Sequence, residues 1–150
     1  MNKAQVGKRG EQAAARYLKR RGYQVLERNL HISHEEIDII AVDRHCIAFV
    51  EVKTRIGRPE NADRYSAPAS AVTYQKQQHL LRAANAYLSK NTYSLQPRMD
   101  IIEIYLTPDN DLSFFDRLVE KVTSWFGVPQ RRLIHINHIE NAFGLHGYRP

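Results

Sequence analysis

The stretch EIDIIAVDRHCIAFVEVK, residues 36–53, decides the fold, because it predicts two adjacent strands of a buried β-hairpin. Its two apolar runs, IDIIAV and CIAFV, are separated by a short polar turn. Charges interrupt both runs, since Asp38 lies inside the first and Glu51 and Lys53 follow the second. Buried charges cost free energy unless they are paired or bind a metal, so their presence requires an explanation.

The alternation of side chains along a strand brings the charges of this hairpin together. Glu51 and Lys53 share one face of the sheet. A hairpin loop of two or four residues would pair Asp38 directly with Glu51. The same register pairs Glu36 with Lys53. Two carboxylates that meet on one face repel each other unless a cation lies between them. Mg²⁺ fits this position, because one or two carboxylates bind it together with water and substrate phosphate.

The lysine adds a further chemical function to this pattern. Lys53 would point toward the same ion, where its amine could orient or deprotonate an attacking water and offset charge on a phosphate. An Asp followed by Glu-x-Lys therefore contains the groups needed for metal-assisted hydrolysis of a phosphodiester bond. The alternative is a buried ion-pair cluster that only fixes the register of the hairpin.

Two predicted helices each carry a charged residue close to an apolar face. Residues 3–21 and 71–90 have apolar and small residues at helical spacing. Glu11 falls beside small residues of the first helix, and Lys76 lies on the apolar stripe of the second. These faces should pack against the sheet and bring both charges toward the hairpin. The alternative for each is a solvated position on the helix surface.

The remaining elements complete an α/β pattern. The element order is helix, three strands, helix, strand, helix, strand, which predicts a mixed sheet with helices packed against its faces. In the strand RMDIIEIYL, Asp100 and Glu103 take opposite faces, and we expect Asp100 to pair with an arginine rather than bind a metal. The other predicted elements are strands at 24–30, 98–106 and 133–139, a loop at 55–70 and a helix at 113–126.

Composition and charge limit the classes of protein to which this chain can belong. The 150 residues suffice for one domain with its own core. No apolar run approaches the roughly 20 residues that span a bilayer. The N-terminal segment lacks the apolar region of a signal peptide, and the one cysteine cannot form an internal disulfide. These features predict a cytoplasmic protein without a membrane attachment.

The net charge of +6 indicates a polyanionic partner. Basic residues are concentrated in residues 1–35, which favours nucleic acid, although a solvated helix face gives the same pattern. The candidate phosphate-binding residues are Lys8 and Arg9 in the first helix, Arg55 after the Glu-x-Lys strand, and Lys76.

Several segments occur in a characteristic order: GKRGEQAAARYLKRRGYQVLERN, EIDIIAVD, FVEVKTR, a lysine in the next helix, RMDIIEI and HINHIENAF. Together they resemble the YraN family of predicted endonucleases, within the PD-(D/E)xK, restriction-endonuclease-like superfamily. The resemblance covers roughly residues 4–107 and 134–143. It implies a central mixed β-sheet flanked by helices, with archaeal Holliday junction resolvases as characterised relatives.

The resemblance also implies the members of a catalytic site. Asp38 and Glu51 would hold Mg²⁺ or Mn²⁺ with the assistance of Glu11, and Lys53 would complete the Glu-x-Lys motif. Glu36 matches the glutamate of the family's Gly-Glu-Ile-Asp. The lysine or glutamine of the following helix would be Lys76 or Gln75.

The sequence departs from the family pattern at two places. Glu35 replaces the glycine that usually precedes Glu-Ile-Asp, which adds a charge near the site. Residues 108–133 are longer than the family leads us to expect, so they are a candidate insertion. The domain prediction is therefore a single nuclease-like domain over residues 1–150, with residues 144–150 as a flexible tail.

These features predict a metal-dependent DNA endonuclease that hydrolyses phosphodiester bonds, with branched recombination or repair intermediates as candidate substrates. The alternative is a non-catalytic nucleic-acid-binding scaffold in DNA recombination, repair or uptake. An RNA-directed nuclease also remains open, because the chemistry of the site does not separate the two polymers. Many relatives cut two strands as dimers, so a homodimer is a further expectation, as is a recombination or repair protein partner.

Overall fold

The computed structural model describes residues 2–57, 72–108, 113 and 133–144. Within these ranges the chain forms a five-stranded sheet in the order β1-β2-β3-β4-β5, with two helices. β3 and β4 are parallel, and the other neighbouring strands are antiparallel. The elements are α1 (Lys3–Arg20), β1 (Gln24–Ile32), β2 (Glu35–Val42), β3 (Cys46–Ile56), α2 (Tyr74–Lys90), β4 (Gln96–Leu106) and β5 (Leu133–Phe143).

The two helices cover opposite faces of the sheet. α1 begins at a capping box formed by Asn2 and Gln5, and its small residues pack against one face of β2, β3 and β4. α2 covers the other face, where Phe49 and Leu80 are fully buried in a second core cluster. Strands buried on both faces are apolar along nearly their whole length, which accounts for the continuous runs in β2 and β3. The predicted α/β class with a mixed sheet is confirmed.

The β2–β3 hairpin has the predicted register. Val42 pairs with Ile47 and Ile39 pairs with Val50, so the loop contains the four residues from Asp43 to Cys46. The Asp43 carboxylate closes this loop by accepting the backbone N–H groups of its third and fourth residues at 2.7 and 2.8 Å. Such a side-chain bond to the backbone is typical of aspartate in turns.

The predicted pair of Glu36 with Lys53 does not form. The ladder between β2 and β3 ends at Ile39, whereas β2 continues its pairing with β1, where Glu36 lies opposite His31. The two strands separate because the carboxylate of Asp38 accepts the next β3 N–H group in place of a backbone carbonyl. A side chain therefore ends the ladder at the charged end of the hairpin.

Several boundaries differ from the sequence prediction. β3 continues to Ile56, so Arg55 lies in a strand and not in the predicted loop over 55–70. Gly57 ends this strand with a φ of 110° and donates its N–H to the Leu106 carbonyl at 2.9 Å. The rest of that loop, the helix over 113–126 apart from Ser113, and most of the candidate insertion and tail lie outside the described residues. No helix in the described part of the chain is long and apolar enough to cross a membrane.

Gly10 sets the distance between α1 and the sheet. A Cβ at this position would overlap the hydroxyl of Thr54 on β3 and lie 2.8 Å from the Thr54 Cβ. We therefore expect Gly10→Ala to lower the free energy of unfolding by about 1–3 kcal/mol, as overpacking does in a dense core. Urea denaturation measures this change.

The matched control is Gly7→Ala, three residues earlier in the same helix, where an added Cβ meets nothing within 4 Å. Alanine is a better helix former than glycine by about 1 kcal/mol, so this variant should be at least as stable as the wild type. Similar changes in the free energy of unfolding of both variants would contradict a close approach of α1 to β3 at Gly10.

Candidate functional site

The candidate site lies where β2 and β3 separate. Asp38 Oδ2 accepts a hydrogen bond of 2.7 Å from the Val52 backbone N–H. Ile37 packs in the core beneath α2 and Ile39 in the core beneath α1, although strict alternation would place both on one face. The alternation of faces is therefore interrupted at Asp38, and its carboxylate reaches the backbone of β3.

Glu51 is the buried carboxylate of the site. Its exposed fraction is 5%, and it lies on the face of β3 that α2 covers. Lys53 Nζ lies 2.8 Å from Glu51 Oε1, and Lys76 Nζ from α2 lies 3.7 Å from Glu51 Oε2. Oε2 is buried and has no hydrogen-bond partner among the described residues. The two lysines thus more than offset the charge of Glu51, yet within the described residues they leave Oε2 with unused acceptor capacity.

Asp38 and Glu51 influence each other electrostatically. Burial raises the pKa of Asp38, the charge of Glu51 raises it further, and the pKa reaches about 7 although the Val52 N–H opposes the change. Glu11 adds a smaller effect in the same direction. The cluster therefore holds two carboxylates whose repulsion a cation between them would relieve.

The donor set fits a divalent cation that binds together with substrate. Within the described ranges no three His, Cys, Asp or Glu side chains are close enough to form a complete metal cage. Mg²⁺ needs fewer protein ligands, because it retains water and takes oxygens from a substrate phosphate. The carboxylates of Asp38 and Glu51 offer the hard oxygen atoms that Mg²⁺ and Mn²⁺ prefer, and Glu51 Oε2 accepts no hydrogen bond from any described residue.

Glu11 is placed at the periphery of this cluster. Its Oε2 accepts a hydrogen bond of 2.8 Å from Asn29 Nδ2 on β1. Asn29 has a φ of 49°, which asparagine tolerates better than most residues. The carboxylate of Glu11 is therefore tied to β1, and its charge reaches Asp38 without a direct contact.

The remaining predicted residues divide between the site and its surroundings. Of the two candidates in α2, Lys76 contacts Glu51, whereas Gln75 is exposed. Glu36 lies 3.8 Å from His31 and is not brought to Lys53. The candidate phosphate-binding residues lie at three places: Lys8 and Arg9 on α1, Arg55 beside Glu103 at the end of β3, and Lys76.

Glu35 has a role that the sequence did not reveal. Its carboxylate lies 2.9 Å from His79 Nδ1 and 3.2 Å from Arg82 Nη2, both on α2. The start of β2 is therefore fastened to the helix that carries Lys76. The only signal in the sequence is the spacing of His79 and Arg82, which places them on adjacent turns of one helix.

Asp100 belongs to a structural network on the opposite face of the sheet. It is fully buried and receives hydrogen bonds from Arg98 Nε and Nη2, both at 2.8 Å, and from the Asn141 N–H at 3.0 Å. His138 Nε2 lies 2.9 Å from the same carboxylate. The predicted pairing of Asp100 with an arginine is confirmed. Burial alone would raise the pKa of Asp100, but these hydrogen bonds hold it below the ordinary value.

The fold and the site together define a class of protein. A five-stranded mixed sheet with a helix on each face is consistent with a restriction-endonuclease-like arrangement, and a carboxylate–lysine cluster lies where two of its strands separate. The sequence pattern of the uncharacterised protein family UPF0102 matches residues 10–104, and the chain belongs to this family. This membership supports the YraN family resemblance.

Curated relatives carry the same family name and match most of the chain. A UPF0102 protein of Caldanaerobacter subterraneus is 40% identical over 144 residues, which cover 95% of this chain and 98% of the relative. Another, of Trichlorobacter lovleyi, is 46% identical over 142 residues, which cover 93% and 91%. A third, of Symbiobacterium thermophilum, is 44% identical over 108 residues, which cover 71% and 87%.

The repulsion at Asp38 should lower the stability of the metal-free protein. The pKa of this carboxyl is about 7 in the folded protein against an ordinary 3.8, so stability should fall as the pH rises from about 4 to about 7 and then level off. Asp38→Asn keeps an acceptor for the Val52 N–H and removes the charge. We expect this variant to be more stable than the wild type above pH 7, measured by urea denaturation with a chelator.

The control is Glu27→Gln, which removes an exposed carboxylate from β1. The free energy of unfolding of this variant should equal that of the wild type at about pH 5 and about pH 8, because the charge of Glu27 is exposed to solvent. An Asp38→Asn variant that is less stable than the wild type at the higher pH would show that the carboxylate is a net stabilising partner.

The Asp100 network should contribute strongly to folding. Asp100→Asn leaves Arg98 with a neutral partner in a buried position, and we expect the free energy of unfolding to fall by about 3–5 kcal/mol. Because the pKa of Asp100 is lowered, its stabilisation exists above the ordinary pKa of 3.8 and is lost as the pH falls below it. Denaturation of the variant should therefore depend less on pH in acid.

Glu140→Gln is the matched control, because Glu140 also pairs with Arg98, at 3.0 Å, but its side chain is 45% exposed. An exposed ion pair contributes less than about 1 kcal/mol. Equal losses in the Asp100 and Glu140 variants would contradict a special role for the buried carboxylate.

Proposed function

We propose that this protein is a metal-dependent endonuclease that hydrolyses phosphodiester bonds of DNA with Mg²⁺ or Mn²⁺. The observation that carries the proposal is the environment of Glu51. This buried carboxylate has Lys53 at 2.8 Å, Lys76 at 3.7 Å and one oxygen without a hydrogen-bond partner in the described part of the chain. Asp38 adds a second carboxylate at the same place. This set of groups suits a cation and a phosphate together.

A purely structural ion-pair cluster explains these groups less well. Glu51 with the two lysines has an excess of one positive charge, which an ionised Asp38 would neutralise. Asp38 nevertheless is not a stabilised partner in such a cluster, because burial and the charge of Glu51 raise its pKa to about 7, and Lys76 only weakly opposes this change. An arrangement that opposes folding at one position is typical of a functional site, where a ligand supplies the missing interaction.

The residues of the site have separable roles in this proposal. A bound divalent cation would supply Lewis acidity and an activated water. Asp38 and Glu51 would hold it, and the charge of Glu11 would add to the negative potential there. Lys53 Nζ lies beside Glu51, where it can bind an oxygen of the phosphate or take a proton from the water. Lys76 approaches from α2 and would offset the charge that develops on the phosphate.

The charge of the protein supports a polyanionic substrate. The net charge is +6, and exposed basic residues such as Lys8 lie on α1, the helix that also carries Glu11. Nucleic acid binding of this kind weakens steeply with salt. Family resemblance favours DNA, with branched recombination or repair intermediates as the first candidates. A homodimer and a protein partner from recombination or repair belong to the same proposal.

The first experiment separates metal binding from cleavage. Titration calorimetry with Mn²⁺ should show binding to the wild type and to Glu27→Gln, and no binding to Asp38→Ala. The same samples are then incubated with labelled branched, single-stranded and duplex DNA and with matching RNA. Lys53→Ala should retain Mn²⁺ binding but lose activity by about 100-fold or more, as expected when a group that transfers a proton is removed.

Each result has a defined meaning once circular dichroism shows that the variants are folded. Tight, salt-sensitive DNA binding by the wild type, without Mn²⁺ binding even in the presence of DNA, would replace the nuclease proposal with a non-catalytic scaffold. Mn²⁺ binding that Asp38→Ala leaves unchanged would place the metal elsewhere. Cleavage of RNA but not of DNA would support metal-dependent phosphodiester hydrolysis and would replace DNA with RNA as the proposed substrate.

A further inference from the structure

A second polar cluster shares the sheet face of Glu51 and Lys53. We call it the Glu103 cluster, and its members are Arg55, Glu103, Tyr105 and Asn137. In the register of the sheet Lys53 lies opposite Glu103 on β4, and Glu103 lies opposite Asn137 on β5. The cluster therefore continues directly from the lysine of the candidate active site toward the edge of the sheet.

Glu103 is the fixed centre of this cluster. Its exposed fraction is 6%. Asn137 Nδ2 donates a hydrogen bond of 3.0 Å to Glu103 Oε2, and the Tyr105 hydroxyl lies 3.5 Å from the same oxygen. The other oxygen, Oε1, lies 3.6 Å from Arg55 Nη2. Two neighbours thus hold one oxygen of the carboxylate in place, and the second oxygen faces the guanidinium.

Arg55 retains donors for a further partner. A guanidinium carries five N–H donors in a planar fork. The distance of 3.6 Å from Arg55 Nη2 to Glu103 is longer than a hydrogen bond, and the buried Nε has no acceptor among the described residues. The side chain is 38% exposed, so part of the fork faces solvent. Phosphate is the ligand that such a fork binds with two parallel hydrogen bonds.

Arg55 is also held at a suitable place for a phosphate. β3 is paired with β4 as far as Ile56, and the Gly57 N–H binds the Leu106 carbonyl at 2.9 Å. Arg55 therefore belongs to the rigid sheet. It follows Lys53 by two residues on the same face, a separation of about 6.6 Å along the strand. Neighbouring phosphates of one nucleic acid strand are separated by a similar distance.

We propose that the Glu103 cluster is a second phosphate site, which binds the phosphodiester next to the one that faces Lys53. Arg55 contacts this phosphate, and Glu103 is a positioning residue that aims the guanidinium. The identity of the ligand as a nucleic acid strand rests on the proposed function. The competing interpretation is a cross-strand ion pair that only stabilises the junction of β3, β4 and β5.

Direct binding tests the proposal without cleavage. A fluorescently labelled single-stranded DNA oligonucleotide is titrated with each protein in the presence of a chelator, over a series of salt concentrations. Arg55→Ala should weaken binding by about tenfold and reduce the slope of log affinity against log salt by about 0.7, the value for one lost phosphate contact. Arg55→Lys should weaken binding with little change in slope, because the charge remains and the fork is lost.

Glu103→Gln gives opposite results under the two interpretations. The substitution removes a negative charge near the DNA, so electrostatics alone would tighten binding. If Glu103 positions Arg55, binding should weaken although the net charge has become more positive. Tighter or unchanged binding by a folded Glu103→Gln variant would overturn the positioning role. If Arg55→Ala fails to fold, Arg55→Lys and Glu103→Gln decide the question.

Arg44→Ala is the matched control for charge. Arg44 is exposed in the β2–β3 loop, at the opposite end of β3 from Arg55, about 30 Å away along the strand. This variant should bind the oligonucleotide within about twofold of the wild type. If Arg44→Ala loses as much affinity as Arg55→Ala, the loss reflects the net charge of the protein and not a specific site, which would overturn the proposal.

Failure of this inference can be distinguished from failure of the nuclease proposal. Cleavage by the wild type, with binding that Arg55→Ala and Glu103→Gln leave unchanged, would overturn the second phosphate site alone. Weaker binding in these variants, with no cleavage by the wild type on any substrate, would support the phosphate site and overturn the nuclease. No binding of the oligonucleotide by the wild type at low salt would overturn the phosphate site.

Discussion

The hydrogen bond from the Val52 N–H to the Asp38 carboxylate organises the candidate site. At 2.7 Å it links β2 to β3 just past the point where their backbone ladder ends. It also holds Asp38 near Glu51 against the repulsion between the two carboxylates. A backbone N–H is a fixed donor in the sheet, so this contact locates a charged side chain with the precision of the strand that supplies the donor.

Packing on both faces of the sheet surrounds this point with charges from different elements. Small residues of α1 let that helix lie close to β3, which brings Glu11 within electrostatic reach of Asp38. On the other face, the apolar stripe of α2 places Lys76 against Glu51. The site is therefore assembled from one hairpin and two helices that are far apart in sequence. Its geometry depends on the integrity of both core clusters.

Much of this arrangement could be predicted from the sequence, because it follows from the spacing of apolar and charged residues in strands and helices. Alternation in the hairpin gave the register that pairs Ile39 with Val50, although the ladder ends before the predicted pair of Asp38 with Glu51. Helical spacing put Lys76 on the side of α2 that contacts Glu51. The predicted Glu36–Lys53 pair was wrong, because no periodicity reveals that a side chain will end a ladder. The resemblance predicted the identity of the family, which the family match supports, whereas the catalytic roles that it implies stay predictions.

The contacts that join distant elements were beyond such reasoning. The hydrogen bond that Glu103 receives from Asn137 on β5 depends on the order of the strands and on side-chain rotamers. The extension of β3 to Arg55 depends on its pairing with β4, a partner about 50 residues later in the chain. Local patterns describe the strands, but only the assembled sheet determines which polar groups on neighbouring strands meet.

The fastening of Glu35 to His79 and Arg82 has a consequence for how freely Lys76 can exchange partners. These contacts join the start of β2 to the second and third turns of α2, and Lys76 lies one turn before His79. These contacts restrain α2 along the sheet, so rotation of its own flexible side chain is the simplest way for Lys76 to leave Glu51. In the proposed function, transfer of the Lys76 amine from Glu51 to a substrate phosphate would then be a fast local event that needs no rearrangement of the protein backbone.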